Sequence, residues 1–179
     1  MEKVKVLHVI TRLDKGGAAE NTLLTALWLD KNKYDVVLIK GLSIESDMSI
    51  EERASLDEGL KQAELKGVKL ITVPSLIRRM NPILDLQALF CLYRIFLQEK
   101  PAIVHTHTSK AGILGRWASF FARVPIVVHT PHGHIFYGYY GKIKTKLFIL
   151  LEKLTASLTD KIITLTRKER EEHIQFNIS

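Results

Sequence analysis

The stretch VVHTPHGHIFYGYYG, residues 127–141, places His129, His132 and His134 within six positions and follows them with Phe136, Tyr137, Tyr139 and Tyr140. Imidazoles so spaced could ligate a metal, act as a general base, or bond a hydroxyl or phosphate oxygen. The aromatics offer flat apolar surface with polar tips, which suits a sugar ring or a lipid-linked acceptor; the same residues could form a buried cluster under a loop. Pro131 stiffens the approach and Gly133 frees the backbone beside His132, so that His132 is the ring best placed to project into a cleft. Upstream, His105 and His107 lie two apart in VHTHTSK, 104–110, and share a face if that run is a strand. One could reach a cleft, or both could pack beneath crossover helices with their nitrogens bonded to backbone. A zinc site needs three or four ligands. His105, His107, His129, His132 and His134 could supply them, but no acid or cysteine stands in the same loops, and neither a metal nor another cofactor is expected.

Two further features could meet an anion. Gly16 and Gly17 stand between an apolar run and a helical pattern, where exposed N–H groups and the helix dipole favour a phosphate; a tight turn without a ligand would look the same. Lys110 opens a helix beside Ser109 and could meet an anionic group or remain solvated. The glycines do not follow G-x-G-x-x-G, and the second apolar run ends in Lys40 rather than in an acid for a ribose hydroxyl. Gly141-Lys142 is followed by Ile143, so no P-loop is present.

The elements that must position these residues alternate. Strands are expected at 4–10, 34–40, 68–73, 102–108, 125–130 and 161–166. Helices are expected from about Ala18 to Asp30, from a Ser49/Glu52 capping box to Lys66, and from an Asn81 cap with Pro82 to Lys100. Others run from a Ser109 cap to Ala122, from Lys142 to Ser157, and onward from a Thr166/Glu169 capping box. Val- and Ile-rich strands spaced by helices predict an α/β fold: a Rossmann-like, doubly wound parallel sheet with helices on both faces. Ligands of such a sheet bind beyond the carboxyl ends of the strands, where the glycine pair, HTHTSK and HTPHGH all fall. Gly112 and Gly115 inside a helix imply close helix–strand approach, since each costs stability relative to alanine.

The 179 residues suit one domain with a sizeable core and carry a formal net charge of +7. That charge fits nucleic acid, anionic lipid or a phosphorylated substrate and selects none of them. Because the charges are scattered along the sequence, a nucleic-acid partner is not expected. The one cysteine, Cys91, excludes an internal disulfide and favours a reducing compartment; its apolar neighbours predict a buried thiol. No secretory leader and no stretch near the roughly 20 apolar residues of a membrane span is evident. KIKTKLFILLEK, 142–153, mixes lysines with an apolar run and could lie against an anionic membrane, although LFILL reads better as buried. The last helix has barely begun at Ser179, so the chain looks like the first half of something larger.

Taken in order, GGAAE (16–20), VHTHTSKAGILGR (104–116), VVHTPHGHIFYGYYG and LTDKIITLT (158–166) resemble the N-terminal half of glycosyltransferase family 4, retaining transferases of the two-domain GT-B type. The resemblance spans nearly the whole chain and implies the acceptor-side domain of a transferase moving a sugar from a nucleotide-sugar donor to a polysaccharide or lipid-linked acceptor. It implies that Gly16 and Gly17 approach the donor diphosphate and that His132, in Thr130 to Gly133, contacts the transferred sugar. Lys110, His134 and Tyr137 become candidates for acceptor or sugar binding. A C-terminal donor domain or partner subunit would be needed for turnover, at the cytoplasmic side of a membrane. The rival expectation is a non-catalytic binding subunit that docks a donor subunit or a membrane-bound acceptor.

Overall fold

The computed structural model of the chain describes residues 2–14, 16–43, 46–133 and 142–178, with backbone alone for 142–145, 147 and 148. Six parallel strands alternate with six helices: β1 (Val4–Ile10), α1 (Gly17–Trp28), β2 (Tyr34–Lys40), α2 (Ile50–Leu65), β3 (Lys69–Thr72), α3 (Pro82–Glu99), β4 (Ile103–His107), α4 (Ser109–Ala122), β5 (Ile126–Thr130), α5 (Lys142–Ala156), β6 (Lys161–Ile162) and α6 (Arg167–Gln175). The sheet order is β3-β2-β1-β4-β5-β6. The order reverses between β1 and β4, and this switch point opens a crevice beyond the strand ends.

Both faces of the sheet are covered, which is why β1 and β2 read as continuous apolar runs. On one face Ile10, Val36 and Leu38 pack against Ala19, Ala26 and Ala63 of α1 and α2. On the other, Leu7, Val9, Val37 and Val104 pack against Ala88, Leu92 and Phe96 of α3 and Ala111 and Ala118 of α4. The predicted close approach is observed. A methyl on Gly112 would lie 2.5 Å from Cε1 of His129, and one on Gly115 2.6 Å from Cγ2 of Thr106. Glycine therefore lets α4 settle on β4 and β5.

The predicted capping box at Ser49 and Glu52 forms in full, and Asn81 accepts from the N–H groups of Ile83 and Leu84. Four local expectations are corrected. Ser109 is the first residue of α4 rather than its cap; Thr108 occupies that place at φ 62°, with no side-chain cap bond. Strand β6 stops at Ile162; the N–H of Ile163 still donates to the carbonyl oxygen of His129 at 2.8 Å, and that of Leu165 turns to the Glu169 carboxylate, 2.7 Å away. That carboxylate also accepts from the N–H of Gly133 at 3.1 Å, so Thr166 and Glu169 make only half of a capping box. Cys91 is exposed: Ala88, Leu92 and Phe96 take the buried stripe of α3, and position 91 turns outward with Phe90.

The charges, scattered along the sequence, sort by layer. Helices α1 and α2 carry six acidic and two basic residues, whereas α3, α4 and α5 carry three acidic and seven basic. The three carboxylates of the second group are all paired: Asp85 with Lys110 at 2.6 Å, Glu99 with Lys5 and Lys69, and Glu152 with Arg116 at 2.7 Å. The same three helices expose Ile83, Leu86, Phe90, Leu97, Phe120, Phe121, Leu150 and Leu154. Within LFILL, Leu150 therefore faces solvent, while Ile149 and Leu151 are half-buried.

Candidate active site

A cavity of about 820 Å³ opens at the switch point. It is lined by the end of β1 (Ile10, Thr11, Arg12), by Gly16, Gly17 and Ala18 at the start of α1, by Thr108, Ser109 and Lys110 at the start of α4, and by His132 after β5. The glycine pair and His132, separated by more than half the sequence, thus share one crevice.

Both helices that begin in this cavity do so without a side-chain cap of their own. Gly16 holds the N-cap of α1 at φ 123°, a conformation open to glycine, and nothing lies within 4 Å of where a side chain would begin on Gly16 or Gly17. The first N–H groups of a helix have no partner within it, and they carry the positive end of its dipole. By contrast α2, α3 and α6 are capped by Ser49, Asn81 and Thr166. In α4 the N–H of Ala111 is met from another strand end, donating to Thr11 Oγ1 at 3.1 Å. The start of α1 is left the more open to an incoming anion.

The histidines divide between the two faces of the sheet. His129 pairs in register with Thr106 and lies under α4, its Nδ1 2.9 Å from Thr106 Oγ1. It belongs to the core and does not join His132. His8, His105 and His107 occupy the opposite face, because His8 lies opposite His105 in the parallel register and His107 follows two residues on. His8 Nδ1 lies 3.1 Å from His107 Nε2, and His107 Nδ1 lies 2.9 Å from His132 Nε2. His105 Nε2 is 2.8 Å from Thr130 Oγ1, and its ring centroid is 4.1 Å from that of His107. The backbone partners expected for His105 and His107 are thus replaced by side chains. His132 itself adopts φ 59°, unusual outside glycine, and is followed by Gly133 at φ 112°.

Burial holds this cluster neutral. Desolvation first, and then the neighbouring His105 and the Lys31 ammonium, push His8 down to about 3. His105 is lowered to about 4 by burial and by His132, and His107 is lowered well below 6.5 by burial and by the surrounding rings. His132, half-buried, is lowered by desolvation and partly restored by the Glu169 carboxylate. The ring nitrogens of His8, His105 and His107 come within 4.8 Å of one another, the spacing of a metal site. As they stand, two of those rings bond each other, so an ion would have to displace that bond. We therefore read them as a hydrogen-bonded cluster.

Lys110 lines the cavity, with its ammonium 2.6 Å from Asp85 and 2.5 Å from the carbonyl oxygen of Arg79. Its charge is already met. Arg12 and Arg78 also line the cavity, and Arg12 pairs with Asp14 at 2.7 Å. His134 and Tyr137 lie outside the described residues. Sequence reasoning missed His8, Arg12 and Arg78. For His8 the available signal was the matched depth of His8 and His105 within β1 and β4.

The profile of Glycosyltransferase Family 4 matches residues 15–179. The chain belongs to that family. It is 33% identical over 169 residues to the UDP-Gal:alpha-D-GlcNAc-diphosphoundecaprenol alpha-1,3-galactosyltransferase of Escherichia coli, a match covering 94% of this chain and 40% of that protein. Among solved structures, a putative UDP-N-acetylglucosamine 2-epimerase from Listeria monocytogenes superposes with a TM-score of 0.65 at 16% identity, over 99% of this chain and 43% of the other. A glycosyltransferase from Rickettsia africae does so with a TM-score of 0.61 at 16% identity, over all of this chain and 41% of the other. The Rossmann-like sheet is thus the N-terminal domain of the GT-B architecture, homologous to that of a galactosyltransferase. The chain spans less than half the length of each of these proteins.

Proposed function

We propose that this family 4 domain forms the acceptor-side wall of a retaining transferase that moves a sugar from a nucleotide-sugar donor to a lipid-linked glycan. The observation that carries this reading is the shared cavity, where the uncapped start of α1 faces His132. Anionic charge grows on the departing diphosphate as the glycosidic bond breaks. The N–H groups at Gly16 and Gly17 would meet that charge without reorganising. His132, neutral and held from behind, would orient the transferred sugar. Lys110, His134 and Tyr137 would serve the acceptor or sugar, with the Asp85 pair limiting Lys110 to a polar contact. The nucleotide pocket would lie on a C-terminal donor domain or partner subunit, and without it this chain would not turn over.

The test is His132→Ala in the protein carrying its donor half, assayed with a UDP-sugar and a polyprenyl-diphosphate-linked acceptor. Turnover is expected to fall on the order of 10²-fold, the scale seen when one preorganised polar contact is removed, with the unfolding midpoint little changed. A normal rate would remove His132 from the site.

The basic layer of α3, α4 and α5 favours a membrane-bound acceptor, reached at the cytoplasmic face. Its exposed Ile83, Leu86, Phe90 and Phe120 are interleaved with Arg94, Lys146 and Lys153, and the carboxylates there are neutralised by partners. Apolar side chains among cations suit an anionic bilayer surface. Among the described residues no helix is long and apolar enough to cross a membrane. The chain is expected to sediment with phosphatidylglycerol vesicles at low salt, to be released by salt, and to bind less after Phe90→Ser. Absence from the pellet at low salt would count against the surface. The same layer would serve a non-catalytic subunit, the second reading; transfer activity in the protein with its donor half separates the two.

A further inference from the structure

His8, His107 and His132 form a chain of rings running from the interior of the sheet to the cavity. The two links are 3.1 Å and 2.9 Å long, and His105 walls them on one side. Three neutral imidazoles carry three N–H groups and three lone pairs, and two ring-to-ring bonds use two of each. One N–H therefore remains at one end of the chain and one lone pair at the other. The structure marks both ends: His8 Nε2 and His132 Nδ1 are buried with no hydrogen-bond partner among the described residues. The rings cannot choose tautomers separately, since reversing one reverses all three.

We propose that His8 and His107 are positioning residues that fix the tautomer of His132, so that His132 Nδ1 carries the proton and donates to an oxygen of the ligand. This rests on the reading of His132 as the sugar-contacting residue. The charges at the two ends select the direction. The Lys31 ammonium, held by the carbonyl oxygens of Ala26, Leu27 and Leu29, acts on the His8 end and favours a lone pair there. The Glu169 carboxylate, fixed by the N–H groups of Gly133 and Leu165, acts on the His132 end and favours the N–H there. A buried N–H left unbonded costs about 1–3 kcal/mol, so the Nδ1–H of His132 gains from any acceptor that a bound ligand brings within its reach. An oxygen that accepts is then preferred over one that must donate.

The experiment is ring-nitrogen NMR of the full chain labelled with 15N-histidine at pH 7, which separates protonated from unprotonated nitrogens. Signals are assigned through His8→Gln and His107→Gln. His8, His107 and His132 are all expected as Nδ1–H tautomers, whereas free neutral histidine prefers Nε2–H. In His8→Phe the link to His107 Nε2 is gone, and the His132 signals are expected to move toward Nε2–H; His8→Gln, which can still donate to His107, is expected to leave them in place. Nε2–H at His132 in the wild-type chain would overturn the proposal, as would an unchanged His132 in His8→Phe. Should His8→Phe fail to fold, the wild-type spectrum decides alone. None of these readouts uses turnover. The expected tautomers with a fully active His132→Ala enzyme would leave the relay standing and remove the site reading, whereas Nε2–H with an inactive His132→Ala enzyme would do the reverse.

Discussion

Between pH 6.5 and about 4 the chain is expected to lose most of its folding stability. His8, His105, His107 and His129 are largely or wholly buried, and all are lowered from an ordinary value of 6.5, in each case first by desolvation. For His129 the Arg116 guanidinium is the next cause. In the unfolded chain these rings take up protons near 6.5, whereas in the folded chain His8 resists to about 3 and His105 to about 4. The unfolded state therefore binds more protons throughout that window, and stability rises with pH across it. The contribution is complete above 6.5 and is lost progressively as pH falls toward the folded values. A tenfold loss of proton affinity at one ring is worth about 1.4 kcal/mol, against a total stability of roughly 5–15 kcal/mol for a domain, so the four rings together, each lowered by at least that much, bring unfolding within reach. Urea titrations followed by tryptophan fluorescence at pH 7, 6, 5 and 4.5 should show a flat midpoint above 6.5 and a steep fall below. The Glu99 carboxylate, lowered chiefly by its hydrogen bond to Lys69, acts only below 4.5, under the lowest pH titrated. A midpoint unchanged from pH 7 to 4.5 would show that the rings are not buried neutral.

The layout of the fold was legible because its signals are local. The Ser49 and Asn81 caps and the Val-rich strands each report on neighbours a few residues away, and each appears where it was expected; the glycines of α4 are costly inside a helix, and that local cost alone signalled the close approach. The meeting of Gly16, Gly17 and His132 was also legible, since the strand-end rule for doubly wound sheets needs only the strand order. What escaped was set by register and by partners distant in sequence. Nothing near His8 shows that β1 lies against β4 with His8 opposite His105. Nothing near His129 shows that it turns to α4 while His132 turns to the other face. Cys91 was misread because apolar neighbours on both sides do not fix which side of a helix is buried; only the 88, 92, 96 spacing does. The charge layers were hidden because the bias shows only when the helices are counted apart from the strands and loops between them, α1 and α2 together against α3, α4 and α5.

Removing the carboxylate of Glu152 is expected to destabilise the chain by about 3–5 kcal/mol, because it strands a buried guanidinium. Arg116 is fully buried in α4. Its Nε donates to the carbonyl oxygen of Gly112 at 2.9 Å, one Nη reaches Thr159 Oγ1 at 3.4 Å, and the other meets Glu152 of α5 at 2.7 Å. Of its three partners only Glu152 carries a charge, so Glu152→Leu leaves the guanidinium unbalanced away from water. Arg116→Met with Glu152→Leu removes both charges and refills the space with apolar atoms, and should recover most of the loss. Urea midpoints of the wild type, the two single variants and the double variant measure this directly. If Glu152→Leu alone costs no more than an exposed pair, under about 1 kcal/mol, the guanidinium has found water and α4 is not clasped to α5 as described. The clasp also bears on the site. Helix α4 opens at Thr108 and Ser109 in the cavity wall, and Arg116 anchors it two turns further along. Loosening that anchor should therefore blur the geometry at Thr108 before the domain unfolds. Arg116 also lowers His129, so Arg116→Met is expected to raise that ring toward its ordinary value and to soften the acid transition.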